Sequence, residues 1–115
     1  METIKIDSLI TLHQGVTPDE GKPINEQIRT LIEKGKVVEI DFSDVELMTT
    51  AFLNVVIGDL YKDYSSDKLR EKLRIKNISE DDARRIKKVT DTAKLFYSNK
   101  ELFDKSVNDG INGNN

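Results

Sequence analysis

The chain contains no cysteine and a single histidine, His13. Without thiols there is no disulfide framework, no thiolate nucleophile and no zinc site of the cysteine type. One histidine supports neither a histidine-based metal cluster nor a histidine pair for acid–base work, and no G-x-S-x-G run supplies a serine partner for it. The phosphate-binding patterns G-x-x-x-x-G-K-[ST] and G-x-G-x-x-G are also missing. No apolar run approaches the roughly 20 residues needed to span a bilayer. The opening residues Met1-Glu2-Thr3-Ile4-Lys5 lack the basic and then apolar order of a signal peptide. These absences lead to the expectation of a cytoplasmic protein that is not an enzyme and carries no cofactor or metal.

What is present is a chain of 115 residues, 37% hydrophobic and 34% charged, a size and composition suited to one domain with a small core. Its charge is unevenly spread. Residues 1–61 hold five Lys/Arg against eleven Asp/Glu, whereas residues 62–100 hold twelve against seven. An acidic first half and a basic second half can orient a charged partner, although solvated helix faces are the reading that such a pattern favours.

The order of patterns is strand, helix, strand, helix, strand, helix. Thr3–Asp7 alternates as a short strand, and Leu9–His13 reads as a second strand or an extension of the first. Thr17-Pro18-Asp19-Glu20 is a capping box followed by interruptions at Gly21 and Pro23, which predicts a turn and then a regular helix over about Ile24–Lys34. Ile24, Ile28, Leu31 and Ile32 form its apolar stripe, and Gly35 stands at its C-terminal end. Lys36–Phe42 is the best strand, dense enough in apolar residues to be central. Leu47–Tyr61 is apolar nearly all round and predicts one buried helix. Asp67–Lys72 reads as a short helix, Leu73–Asn77 as another strand, and Ser79-x-x-Asp82 as the start of a last helix whose inward face runs through Ala83, Ile86, Val89, Thr90, Ala93, Phe96 and Tyr97. The Asn- and Gly-rich end from residue 105 reads as a flexible tail, which leaves residues 1–104 as the domain. The alternation predicts an α/β fold with a mixed sheet of about four strands and helices packed mainly on one face.

The segment Ile40-Asp41-Phe42-Ser43-Asp44-Val45-Glu46-Leu47-Met48-Thr49-Thr50-Ala51-Phe52-Leu53 carries a resemblance. A strand ending in Asp-Phe-Ser-x-Val, a hydroxyl-rich turn and then Phe at a helix start is similar to the STAS-like domain family, relatives of the anti-sigma factor antagonists. The match is Asp41-Phe42-Ser43-x-Val45 followed by Thr49-Thr50-Ala51-Phe52. The resemblance implies a protein-interaction module whose partner is an ATP-binding serine/threonine kinase-like regulator. It implies a phosphoacceptor position at Thr50 and a partner surface of Asp44, Thr49, Thr50, Leu53 and Asn54. Thr49 stands where the antagonists carry Asp, and Phe52 where they carry Gly. Read by itself, either Thr49 or Thr50 is a helix N-cap.

Other candidates have structural readings. Asp41 and Asp44 flank a turn and suit turn stabilisation more readily than a carboxylate pair or a magnesium site. His13 beside Gly15 reads as a loop residue. Arg84-Arg85-x-Lys87-Lys88 has acidic helical partners in Asp81, Asp82 and Asp91 and few aromatics to stack bases, so nucleic acid is not the expected partner. Two further readings use the same residues: an inhibitor or adaptor from a mobile element such as a phage, and a small nucleotide-binding protein or enzyme using Asp41, Asp44 and Thr50.

Overall fold

The computed structural model describes the backbone of residues 1–114 and the side chains of residues 1–98. Three strands, β1 (Glu2–Lys5), β3 (Val38–Asp41) and β5 (Leu73–Lys76), form a parallel sheet in the order β1-β3-β5. Its register aligns Ile4, Ile40 and Ile75 in one row and Lys5, Asp41 and Lys76 in the next. Successive side chains of a strand point to opposite faces. One face is therefore apolar and lies under the helices, and the other carries Thr3, Lys5, Glu39, Asp41, Arg74 and Lys76. Glu39 on that open face accepts from Thr3 Oγ1 at 3.2 Å and pairs with Lys76 at 2.9 Å.

The other two strands, β2 (Gln14–Gly15) and β4 (Leu47–Met48), make a separate two-stranded parallel ladder. The expected sheet of about four strands is thus divided between two ladders. The only antiparallel pairing among the described residues is the isolated bridge Thr11–Gln14. The fold is α/β, as the pattern of elements indicates.

Three predicted elements differ from what forms. Leu9–His13 is not a strand. Ile6–Leu9 is a 3-10 turn, and Leu12 and His13 both take left-handed backbone, φ 55° and 59°, in a tight turn closed by the Gln14 N–H donating to the Thr11 carbonyl at 3.1 Å. The first helix, α1, runs from Pro18 to Glu33 and so begins a turn and a half before the predicted Ile24. Its capping box is fully made: Glu20 N–H donates to Thr17 Oγ1, and the Thr17 N–H and hydroxyl both donate to Glu20 Oε1. Pro23 lies inside the helix, where its missing N–H leaves the Asp19 carbonyl without its helical donor. Gly21, read as an interruption, is a packing site: a Cβ there would lie 3.0 Å from the Phe52 carbonyl oxygen and 3.1 Å from Val56 Cγ2. At the other end Gly35 (φ 76°) closes the helix as predicted, with its own N–H on Ile32 and the Lys36 N–H on Leu31.

The third difference is in Leu47–Tyr61. This stretch is not one helix. It comprises β4, the short helix α2 (Thr50–Val56) and a 3-10 turn (Gly58–Lys62). The break has a cause in α1. Asn25 Nδ2 donates to the carbonyls of Val55 (2.9 Å) and Val56 (3.3 Å), and Arg29, oriented by a 2.7 Å bond to Asn25 Oδ1, donates to the Asp59 carbonyl at 2.8 Å. Carbonyls that a continuing helix would use internally are taken by side chains of its neighbour.

α3 (Ser66–Lys72) and α4 (Glu80–Asn114) complete the fold. Ile86, Val89 and Ala93 on α4 are buried as predicted, whereas Phe96, assigned to the inward face, is 56% exposed. The tail expected from residue 105 lies outside the described side chains.

Phe52 is the largest fully buried side chain among the described residues. Its ring occupies the space a Cβ on Gly15 would fill, at 2.6–2.7 Å. We expect Phe52→Ala to destabilise the protein by about 3–5 kcal/mol and Gly15→Ala by about 1–3 kcal/mol through overpacking. Gly15→Ala in a Phe52→Leu background should cost less than in the parent, and strictly additive urea-denaturation values would show that the two groups do not meet. Asn25→Ala, which strands the Val55 and Val56 carbonyls, should cost about 1–3 kcal/mol by the same measurement.

Candidate functional site

The residues singled out in the sequence lie around the β2–β4 ladder and the start of α2. The ladder holds them together. Glu46 N–H donates to the His13 carbonyl at 2.8 Å, and Thr49 N–H to the Gly15 carbonyl at 2.9 Å. Thr49 then fastens three segments. Its hydroxyl donates to the Val16 carbonyl at 2.5 Å and accepts from Phe52 N–H at 3.1 Å, so it is the N-cap of α2. The choice between Thr49 and Thr50 as cap is thereby decided. Thr50 is the first helical residue and is exposed.

Asn54 lies one turn further along α2 and is exposed like Thr50. Residues four apart share a helix face, so the two are neighbours on one surface. Leu53 is not part of that surface. It is fully buried, and its assignment as a partner-contacting residue is corrected: it faces the core beside Phe52 and Val56.

Asp44 sits at the far side of the β3–β4 turn with φ 67°, a conformation aspartate tolerates. It is exposed and pairs with Lys5 at 3.1 Å, which raises the pKa of that lysine. Asp41 turns the other way. Its Oδ1 accepts from the Ser43 N–H at 2.9 Å and from Asn77 Nδ2 at 3.0 Å. These bonds, the Ser43 amide foremost, favour the charged form and hold its pKa at about 2. Asp41 and Asp44 therefore serve separate partners and do not form a carboxylate pair. Among the described residues no group of three or more His, Asp or Glu side chains is placed to hold a metal ion.

Composition and motifs gave no sign of an apolar platform on the outer side of the ladder. Gly15 and Met48 face inward, whereas Gln14 and Leu47, partners in the register, face out. Leu47 is 46% exposed and Leu12, on the neighbouring turn, 76% exposed, with Leu9 and Val16 also partly open. The signal available in the sequence was the leucine at position 12 within an otherwise polar turn.

His13 anchors that turn. Its Nδ1 lies 2.7 Å from Oδ1 of Asp7, a carboxylate that is itself largely covered. The hydrogen bond and charge of Asp7 raise the His13 pKa above its ordinary value. A raised folded-state pKa contributes stability that is fully present below the unfolded value of about 6.5 and is lost as pH rises through the folded midpoint. Comparison with His13→Asn, which tolerates left-handed backbone but does not titrate, should show the parent's relative stability falling as pH rises from about 6.5 through the raised folded midpoint. A stability difference that does not vary over this range in thermal melts would show that the pair contributes nothing.

The model of a family described as a STAS-like domain of unknown function (DUF4325) matches residues 20–83. No curated protein and no solved structure matches the chain. The matched stretch is more than half of the chain and takes in most of α1, the central strand, the Asp41–Val45 turn, the Thr49 cap and β5, so the chain belongs to the STAS-like domain family.

Proposed function

We propose that this STAS-like domain is a protein-interaction module without catalytic activity of its own, acting in the cytoplasm as the regulatory partner of an ATP-binding, kinase-like signalling protein. The observation that carries the reading is the placement of Thr50. Its hydroxyl is exposed at the first turn of α2 and is not engaged as a cap, because Thr49 fills that role. Leu47 on the β2–β4 ladder and Leu12 on the turn before it are open to solvent, with Asp44, Glu46 and Asn54 as exposed polar residues on the same segments and on α2. A partly apolar centre with a polar rim is the usual anatomy of a protein interface. In this reading Thr49, Thr50 and Asn54 on α2, together with Asp44 on the β3–β4 turn, face the partner, and Thr50 is the residue the partner phosphorylates.

The chemistry suits a switch. Two negative charges added at Thr50 would be tolerated by the helix, whose N-terminal amides and dipole favour anions. The same charges would have to be desolvated beside Leu47 and Leu12 for docking to persist. Phosphorylation would therefore leave the fold intact and weaken the complex.

Thr50 variants separate the switch from mere capping. With the kinase-like partner and ATP, Thr50→Ser should take up phosphate and bind as the parent does. Thr50→Ala should take up none and keep its affinity. Thr50→Glu should remain folded by circular dichroism and bind about tenfold more weakly or worse, a change of about 1.4 kcal/mol. Leu47→Asp should weaken the complex to a similar extent. Undiminished binding by folded Thr50→Glu and Leu47→Asp would overturn this docking surface, and turnover of nucleotide by the isolated chain would overturn the non-catalytic reading.

A further inference from the structure

The second candidate surface lies at the other ladder. β5 is an edge strand whose only strand neighbour among the described residues is β3. The Phe42 N–H donates to the Lys76 carbonyl at 3.1 Å, so Lys76 turns its backbone toward β3. Strand alternation then turns the N–H and C=O of Ile75 outward, along the uncovered edge. Leu73 also faces outward, but its groups are occupied: its N–H donates to Leu69, and its carbonyl accepts from the Arg74 guanidinium at 3.0 Å.

Both sides of this edge have a definite character. On the covered side a groove of about 200 Å³ runs between α3, β5 and α4. Ile57, Leu69, Leu73 and Ile75 form its apolar floor, and Ile75 is 41% exposed there. Among the described residues its charged lining residues are Arg70 and Lys94, and no carboxylate lines it. On the open side of the same strand stand Arg74 and Lys76. Lys76 is paired with Glu39, whereas the Arg74 guanidinium rests on the carbonyls of Arg70, Glu71 and Leu73 and has no carboxylate partner among the described residues.

We propose that β5 is a docking edge for an extended acidic segment of a partner protein, which adds as a fourth strand with apolar residues set into the groove and Asp or Glu set over Arg74 and Lys76. The pattern follows from the geometry. An added strand bonds through its backbone to Ile75, and its side chains alternate between the two faces. One face demands apolar groups and the other anions. A second copy of this chain is a poor occupant, because pairing β5 with β5 would bring two Arg74 and two Lys76 together on one face. The basic balance of residues 62–100 draws the same kind of partner from a distance.

The probe is a short labelled peptide of alternating Val and Glu, compared with the Val/Lys peptide of the same length and with a Val/Glu peptide carrying a central Pro. The full chain should bind the Val/Glu peptide in fluorescence anisotropy, and the other two about tenfold more weakly or worse, since one reverses the charge and the other removes a strand donor. Binding should fall as salt rises. In a nuclear magnetic resonance titration the Ile75 amide should shift and gain protection from hydrogen exchange, while amides of the β1 edge stay unchanged. Arg74→Glu should abolish the preference for Glu over Lys. Lys76→Gln, which removes the other cation on that face and leaves the β5 backbone intact, should weaken the Val/Glu peptide even if Arg74→Glu fails to fold. The proposal is overturned by equal binding of the Val/Glu and Val/Lys peptides, by no binding, by protection at β1, by preferential binding of a single-stranded oligonucleotide, or by a dimer in light scattering that protects Ile75 without any peptide.

Discussion

The arrangement of this protein depends on the contact between the Phe52 ring and the backbone of Gly15. Because Gly15 has no Cβ, the β2 segment lies directly on the ring. That approach brings β2 within hydrogen-bond reach of β4, and the ladder in turn sets the Thr49 hydroxyl on the Val16 carbonyl and at the head of α2. The position of Thr50, the exposure of Leu47 and the left-handed turn at Leu12 and His13 all follow from this contact. A methyl group at residue 15 would disturb the candidate interface without touching it.

On its opposite flank α2 meets α1 at Gly21, again with the backbone close enough to exclude a side chain. Asn25 and Arg29, one and two turns on, take over the carbonyls at the end of α2 and turn the chain into the 3-10 segment. A short helix held at its N-terminus by Thr49 and at its C-terminus by two side chains from α1 is a rigid mount. An exposed residue on such a mount presents its group to a partner with little ordering to be done on binding. The two candidate surfaces are built differently: one from side chains on the α2 mount, the other from the backbone of an edge strand.

The electrostatics serve local geometry. Asp41 is charged because the Ser43 amide and Asn77 need it to be, and it ties the ends of β3 and β5 together through their following turns. Asp44 balances Lys5, and Glu39 balances Lys76. Exposed pairs of this kind add little stability. Their effect is to leave Arg74 as the cation on the open sheet face that makes no ion pair among the described residues, since its register neighbour Glu39 is taken by Lys76, which is why that end of β5 attracts an anion.

Local signals in the sequence determined the elements whose causes are local. The capping box at Thr17 and Glu20, the closing glycine at Gly35, the alternation of Val38, Ile40 and Phe42 and the cap at Ser79 each concern residues within a few positions of one another, and each forms in the structure. The Asp41-Phe42-Ser43-x-Val45 and Thr49-Thr50-Ala51-Phe52 segments likewise sufficed to indicate the family. Tertiary structure alone decided the rest. Whether Thr49 or Thr50 is the cap depends on a carbonyl thirty-three positions away, at Val16. The end of α2 depends on Asn25 and Arg29, and the burial of Leu53 on which side of a seven-residue helix the core lies. Leu47 comes beside the turn that carries Leu12 and His13 only because two two-residue strands pair, and no run that short carries a period that could have announced it.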